Sequence, residues 1–218
     1  MKINIFFLES LKLKLSPEQK TRISNVIKVH ATKAGKMFRL KLLNFTVSCD
    51  DDKYKVISQI GMGASAMDES WINITVNPKK FGIFIEKYLP GLIYHEASHI
   101  FRGHFNQYGR TLLQTVVSEG LAIVLEEENI PNLTVLYGIY SEKSILKYIS
   151  TFKKKMHSKK FNYSEWFFGT GKYPNWLGYY IGAYIVRKAK ENNPDLTADK
   201  LMSKPADYIL KLSKMRSL

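Results

Sequence analysis

The chain has a single cysteine, Cys49, among its 218 residues. No intrachain disulfide is possible, which suits a reducing compartment better than a secreted one, and Cys49 itself reads as an ordinary strand residue. Long apolar runs are also missing. None approaches the roughly 18 residues of a membrane span, and the stretch from Met1 to Leu8 meets Glu9 before it is long enough for a signal peptide. A cytoplasmic protein with no membrane partner is expected. The 13 glycines and 7 prolines form no linker and no segment repeats, so a single domain over residues 1–218 is expected. Acidic residues are scarce: 19 Asp and Glu face 33 Lys and Arg, for a net charge of +14. After residue 140 the ratio is 16 bases to 6 acids, so the excess sits in the last third. Such a field favours acidic partners, yet it speaks to association and not to activity. Nucleic acid is disfavoured, because no zinc-finger spacing and no RNA-binding aromatic signature is present. What the chain does have is apolar content, 45% hydrophobic and 13% aromatic, enough for one sizeable core.

Along the chain, Lys2 to Leu8 reads as a first strand. Ser16-Pro17-Glu18-Gln19 has the form of a helix start, with a Ser cap, Pro at the first helical position and Gln three residues after the cap. Ile23, Val26, Ile27, Ala31 and Ala34 follow at helical spacing. Leu42 to Cys49 and Tyr54 to Ile60 read as strands joined by Asp50-Asp51-Asp52, Gly61-Met62-Gly63-Ala64-Ser65 as a flexible connector, and Trp71 to Val76 as an alternating strand. From Asn77-Pro78 the pattern turns helical, with starts expected near Asn77, Pro90, Thr111, Ser141 and Asn175, and with short helices closing the chain. A strand-rich part to residue 88 and a helical part from residue 89 make an α+β order.

His95-Glu96-Ala97-Ser98-His99 matches H-E-x-x-H inside the apolar run Leu92-Ile93-Tyr94 to Ile100-Phe101. On a buried helix the i, i+4 spacing stacks both imidazoles on one face, where they can share one Zn²⁺, with Glu96 beside them as base on the metal-bound water. A catalytic zinc takes three protein ligands and keeps one position open. Glu119, in Val117-Ser118-Glu119-Gly120-Leu121-Ala122 and 20 residues beyond His99, is the best third ligand. A carboxylate among Val116, Val117, Leu121, Ile123 and Val124 is costly to bury without a counter-charge, and Zn²⁺ is one. His104 fits less well: Gly103 and His104 stand at offsets +8 and +9 from His95, where the metzincin pattern has +7 and +10. Glu126, Glu127 and Glu128 read as a solvated acidic helix end.

H-E-x-x-H followed by a Glu on a second helix resembles the gluzincin group of zinc metallopeptidases, and Glu119-Gly120-Leu121-Ala122 is similar to the E-G-[FL]-A around the third ligand of zinc aminopeptidases. The chain resembles more closely a bacterial family of predicted Zn-dependent proteases, which carries F-G and then P-x-W-x-G-Y-x-x-G-Y-x-I-V. Here the matching residues are Phe168-Gly169 and Pro174-Asn175-Trp176-Leu177-Gly178-Tyr179-Tyr180-Ile181-Gly182-Ala183-Tyr184-Ile185-Val186, with Ala183 where the family has Tyr and Tyr184 displaced by one. The resemblance implies a zincin-like fold, a small mixed or antiparallel sheet and an active-site helix followed by a mainly helical part, with one Zn²⁺ per chain and a peptide or protein substrate. It further implies a tyrosine downstream of the third ligand as oxyanion donor, Tyr179 or else Tyr180, and an exposed edge strand that pairs with the substrate. Trp71 and Ile74, in the alternating strand, are the candidates for that edge. The leading expectation is a gluzincin-type peptidase. The competing one is a regulatory or pseudo-enzyme zinc-binding protein acting on one specific partner, without general peptidase activity.

Overall fold

The structure is a computed structural model and describes residues 1–9, 12–52, 55–105, 109–133, 137 and 139–215. Its chain falls into two compact units, Met1–Phe101 and Arg102–Leu218. It is α+β: strands come early and helices follow.

In the first unit, helix α1 (Pro17–Phe38) starts where the capping signal places it. The Ser16 hydroxyl accepts from the Gln19 N–H at 3.1 Å, and the Gln19 side chain accepts from the Ser16 N–H at 2.8 Å, so two orphan donors are satisfied reciprocally. Ile23, Ile27, Ala31, Ala34 and Phe38 form its buried stripe, and Val26 lies at the margin, half-buried. Strands β1 (Lys2–Leu8), β2 (Leu42–Cys49), β3 (Met62–Ala66) and β4 (Trp71–Val76) make one sheet in the order β1-β2-β4-β3. The β1–β2 and β2–β4 pairs are parallel and β3–β4 is antiparallel. Alternation sends Leu43, Phe45, Val47, Ile72, Ile74 and Val76 into the core, while Thr46, Ser48, Trp71, Asn73 and Thr75 face the other way and are only half-buried.

Three expectations are corrected here. Residues 55–60 form turns with one bridge, Ile57 to Met62, instead of a strand, and Tyr54 lies outside the described residues. The glycine-containing stretch expected as a connector is strand β3, which pairs with β4 from Met62↔Val76 to Ala66↔Ile72. As a result β4 has a neighbour on each side and is no edge strand: Ile74 is fully buried, and Trp71 is held by a 2.7 Å hydrogen bond to Thr46 and by stacking on Phe6. Trp71 and Ile74 therefore cannot offer a free backbone edge to a peptide.

A 3-10 turn (Pro78–Lys80) capped by Asn77 leads to helix α2 (Ile83–His104). It begins before Pro90 and runs through it, since a proline removes one N–H from the ladder without stopping a helix whose neighbours stay bonded. Residues 89–100 are buried without interruption.

The second unit holds the last turn of α2 and helices α3 (Leu112–Asn129), α4 (Glu142–Lys155), α5 (Tyr163–Phe167), α6 (Leu177–Glu191), α7 (Ala198–Leu201) and α8 (Ala206–Leu212). Thr111 and Ser141 cap α3 and α4 through their hydroxyls, as their positions suggest. Helix α3 is the centre of this unit, buried from Leu112 to Glu126 apart from half-buried Gln114. Helix α6 lies directly on it. A Cβ at Gly182 would stand 2.0 Å from the Val116 carbonyl oxygen, and one at Gly120 would stand 2.1 Å from the Gly182 carbonyl carbon. The two backbones touch, and any side chain at either position would push the helices apart. The acidic end of α3 is not simply solvated, contrary to expectation: Glu126 is buried and accepts from the Tyr137 hydroxyl at 2.8 Å, Glu127 pairs with Arg187 at 2.6 Å, and Glu128 pairs with Lys190 and accepts from the Ala198 N–H.

Two glycine substitutions test this account in opposite directions. Gly182→Ala is expected to lower unfolding stability by about 3 kcal/mol or more, because its new methyl meets backbone. Gly103→Ala, in α2 with open space around the position, is expected to raise it by about 0.5–1 kcal/mol. Urea titrations of both variants check the pair.

Candidate metal centre

Helix α2 carries His95, Glu96 and His99 in its buried stretch, with exposures of 5%, 5% and 4%. The two imidazoles stand one turn apart with ring centroids at 4.7 Å, edge to face. The Glu96 carboxylate accepts a 2.6 Å hydrogen bond from the Ala66 N–H of β3. Alternation explains why that donor is available. Met67 N–H bonds to Trp71 and so points to β4, which turns the N–H of Ala66 to the outer side of the sheet. On that same side Met62 accepts from Ile57 at 2.8 Å.

Glu119 sits on α3 at 2% exposure. The residues before it are fixed by an arginine. Arg102, in the last turn of α2, is completely buried; it donates through Nε to the Ser118 hydroxyl at 2.8 Å and through a terminal nitrogen to the Met202 carbonyl at 2.7 Å. Burial pulls its pKa down to about 10. The guanidinium thus ties the end of α2 to α3, one residue from Glu119, and to the residue that follows α7.

Tyr179 lies in the first turn of α6, three residues before Gly182 on the same face. Burial first, then the charge of Glu119, then Tyr163 raise its pKa well above the usual phenol value, so it stays a protonated donor. Its ring packs against Phe167 and Tyr137, each with centroids 5.2 Å away. Tyr180 looks elsewhere: its ring faces Tyr140 at 6.3 Å, and only burial raises its pKa. The displaced Tyr184 donates to Glu142 at 2.9 Å and joins α6 to the start of α4. Trp176, just before α6, adopts φ 68°, ψ 13°, a left-handed conformation costly for a bulky residue. Its N–H bonds to the Phe167 carbonyl at 3.1 Å, and its ring meets Tyr137 edge-on, which hold it there. His104 is exposed, as is His157.

Sequence reasoning passed over Arg102, Tyr137 and Tyr163. For Arg102 a signal existed, a charge three residues after His99 inside an apolar helix; for the tyrosines none did, because their partners are distant in sequence.

His95, His99 and Glu119 are all buried, and each offers one donor atom of a kind that holds divalent metals. Two neutral imidazoles and a carboxylate are the donor set of catalytic zinc, so the residues fit that ion. An α+β chain with H-E-x-x-H on a buried helix and a buried glutamate on the next defines a candidate metalloprotein. The chain belongs to the family described as predicted Zn-dependent protease (DUF2268), whose profile matches residues 23–211. Neither any curated protein nor any solved structure matches it.

Ser118→Ala removes the acceptor of a buried charged donor. It is expected to cost about 1–3 kcal/mol of stability, measured by chemical unfolding, and to shift bound metal less than loss of Glu119 does.

Proposed function

We propose that the protein is a gluzincin-type zinc peptidase in which His95, His99 and Glu119 hold one Zn²⁺ and Glu96 is the general base. The observation that carries this reading is the burial of all three donors at the positions the motif requires. Burying the Glu119 carboxylate is costly, and a divalent cation offsets that cost. The Arg102–Ser118 bond supports the grouping, since Arg102 is three residues from His99 along one helix and Ser118 adjoins Glu119. When bound, zinc would polarise the scissile carbonyl and acidify water.

The protein side chains supply the rest. Glu96 takes a proton at its carboxylate and delivers it to the leaving amine. Tyr179, kept protonated, donates a hydrogen bond to the oxygen that becomes negative in the transition state. The backbone edge for an extended peptide is β3 in this reading, in place of β4, because β3 is the outer strand and its Ala66 N–H already reaches Glu96.

Elemental analysis and a peptidase assay test it together. About one zinc per native chain is expected, lost in Glu119→Ala. Glu96→Gln is expected to keep the metal and lose hydrolysis by about 10²-fold or more. Tyr179→Phe is expected to lower kcat by about 10²–10³-fold with KM little changed. Native chain that takes up no zinc would end the reading. Zinc uptake with no hydrolysis of any peptide would favour a binding protein for one specific partner.

A further inference from the structure

We propose that the outer face of helix α4 is a docking surface for an acidic segment of a partner protein, one that carries a large apolar side chain among its carboxylates. Between residues 141 and 160 there are seven lysines, Lys143, Lys147, Lys153, Lys154, Lys155, Lys159 and Lys160, and one acid, Glu142, which is engaged by Tyr184. None of the seven has an ion pair among the described residues. On α6, by contrast, Arg187, Lys188 and Lys190 all have carboxylate partners. Residues 141–160 are thus the densest run of lysines in the second unit, and none of them is offset by a carboxylate among the described residues.

Helix physics does not explain this placement. Lysines in the last turn, 153 to 155, favour the negative end of the dipole, but Lys143 stands in the first turn, where a cation is unfavourable. Lys143, Lys147, Ser150 and Lys154 share one face, and the like charges at i, i+4 repel. The run beyond the helix is not loose, since the carbonyls of Met156 and Ser158 accept from the Leu113 and Leu112 N–H groups at 2.7 and 3.1 Å. A self-repelling array held in a fixed shape gains free energy from an anionic partner.

The chemistry on the helix selects the kind of anion. Leu146 is 46% exposed amid the lysines, and with Ile149, Ser150, Lys153 and Lys154 it lines an open depression. An apolar floor ringed by ammonium groups suits a peptide that alternates carboxylates with an apolar anchor. Nucleic acid would use aromatic faces or arginine forks, and here Tyr148 packs on Tyr173 while no arginine lies between Arg110 and Arg187. One exposed leucine is too little apolar area to enter a bilayer.

Fluorescence anisotropy on the full chain tests the surface, with a labelled peptide of repeating Glu-Glu-Leu-Glu against oligo-Glu of equal length, oligo-dT, and phosphatidylcholine vesicles containing phosphatidylserine. The Glu-Leu peptide is expected to bind best, about tenfold or more over oligo-Glu, and Leu146→Ser is expected to erase that preference. The double variant Lys147→Glu/Lys154→Glu is expected to weaken the peptide by at least about 30-fold, whereas Lys33→Glu/Lys36→Glu on the exposed side of α1, with the same change of net charge, leaves it unaltered. Tighter binding of oligo-dT or vesicles, indifference to Leu146→Ser, or equal weakening by the α1 variant would each overturn the proposal.

Discussion

The contact on which the second unit depends is the passage of one helix backbone over another at Gly120 and Gly182. Dispersion and burial reward close approach of α3 and α6 along their whole length, but only side-chain-free positions permit it. Once the two backbones touch there, the residues beside the crossing are set. Tyr179 is one turn from Gly182, and Glu119 adjoins Gly120, so the phenol feels the carboxylate's charge. At the far end of the same pair, Glu127 and Glu128 meet Arg187 and Lys190. Burial raises the pKa of Glu127 and Arg187 opposes it, so this ion pair is partly desolvated and the cost of desolvation offsets part of its Coulombic gain.

The same logic accounts for what could be read from the residues alone. Caps are local chemistry, and Ser16, Thr111 and Ser141 each cap a helix as their positions imply. H-E-x-x-H is local too: its spacing is enough to place His95 and His99 one turn apart. The glycines of the α6 motif were visible as a pattern, but their reason was not, because it lies in α3 for Gly182 and in the ring of Phe167 for Gly178. Gly63 misled for the same reason. A glycine among small residues suggests flexibility, whereas here a Cβ would come within 2.3 Å of the Lys55 carbonyl oxygen, so the residue marks a crowded strand.

Charge is where the sequence total conceals most. A value of +14 describes a uniform cation at a distance, yet the bases differ in kind. Arg102 is sealed in the interior against Ser118 and main-chain carbonyls, where it fixes geometry. The α6 bases are spent on the carboxylates of α3 and on Glu191. The lysines of α4 have no carboxylate partner among the described residues, and most of them are exposed, so composition over a window of the chain predicts the location of the excess but not which members of it are available.

Sheet order has a similar consequence for the proposed chemistry. β4 lies inside the sheet because it pairs parallel with β2 on one side and antiparallel with β3 on the other, which makes β3 the outer strand. On its outer side Met62 is occupied by Ile57, and the Ala66 N–H is occupied by Glu96, which leaves the backbone of Ala64 between them turned outward by alternation. An extended peptide laid along this short edge would compete with Glu96 for the Ala66 N–H.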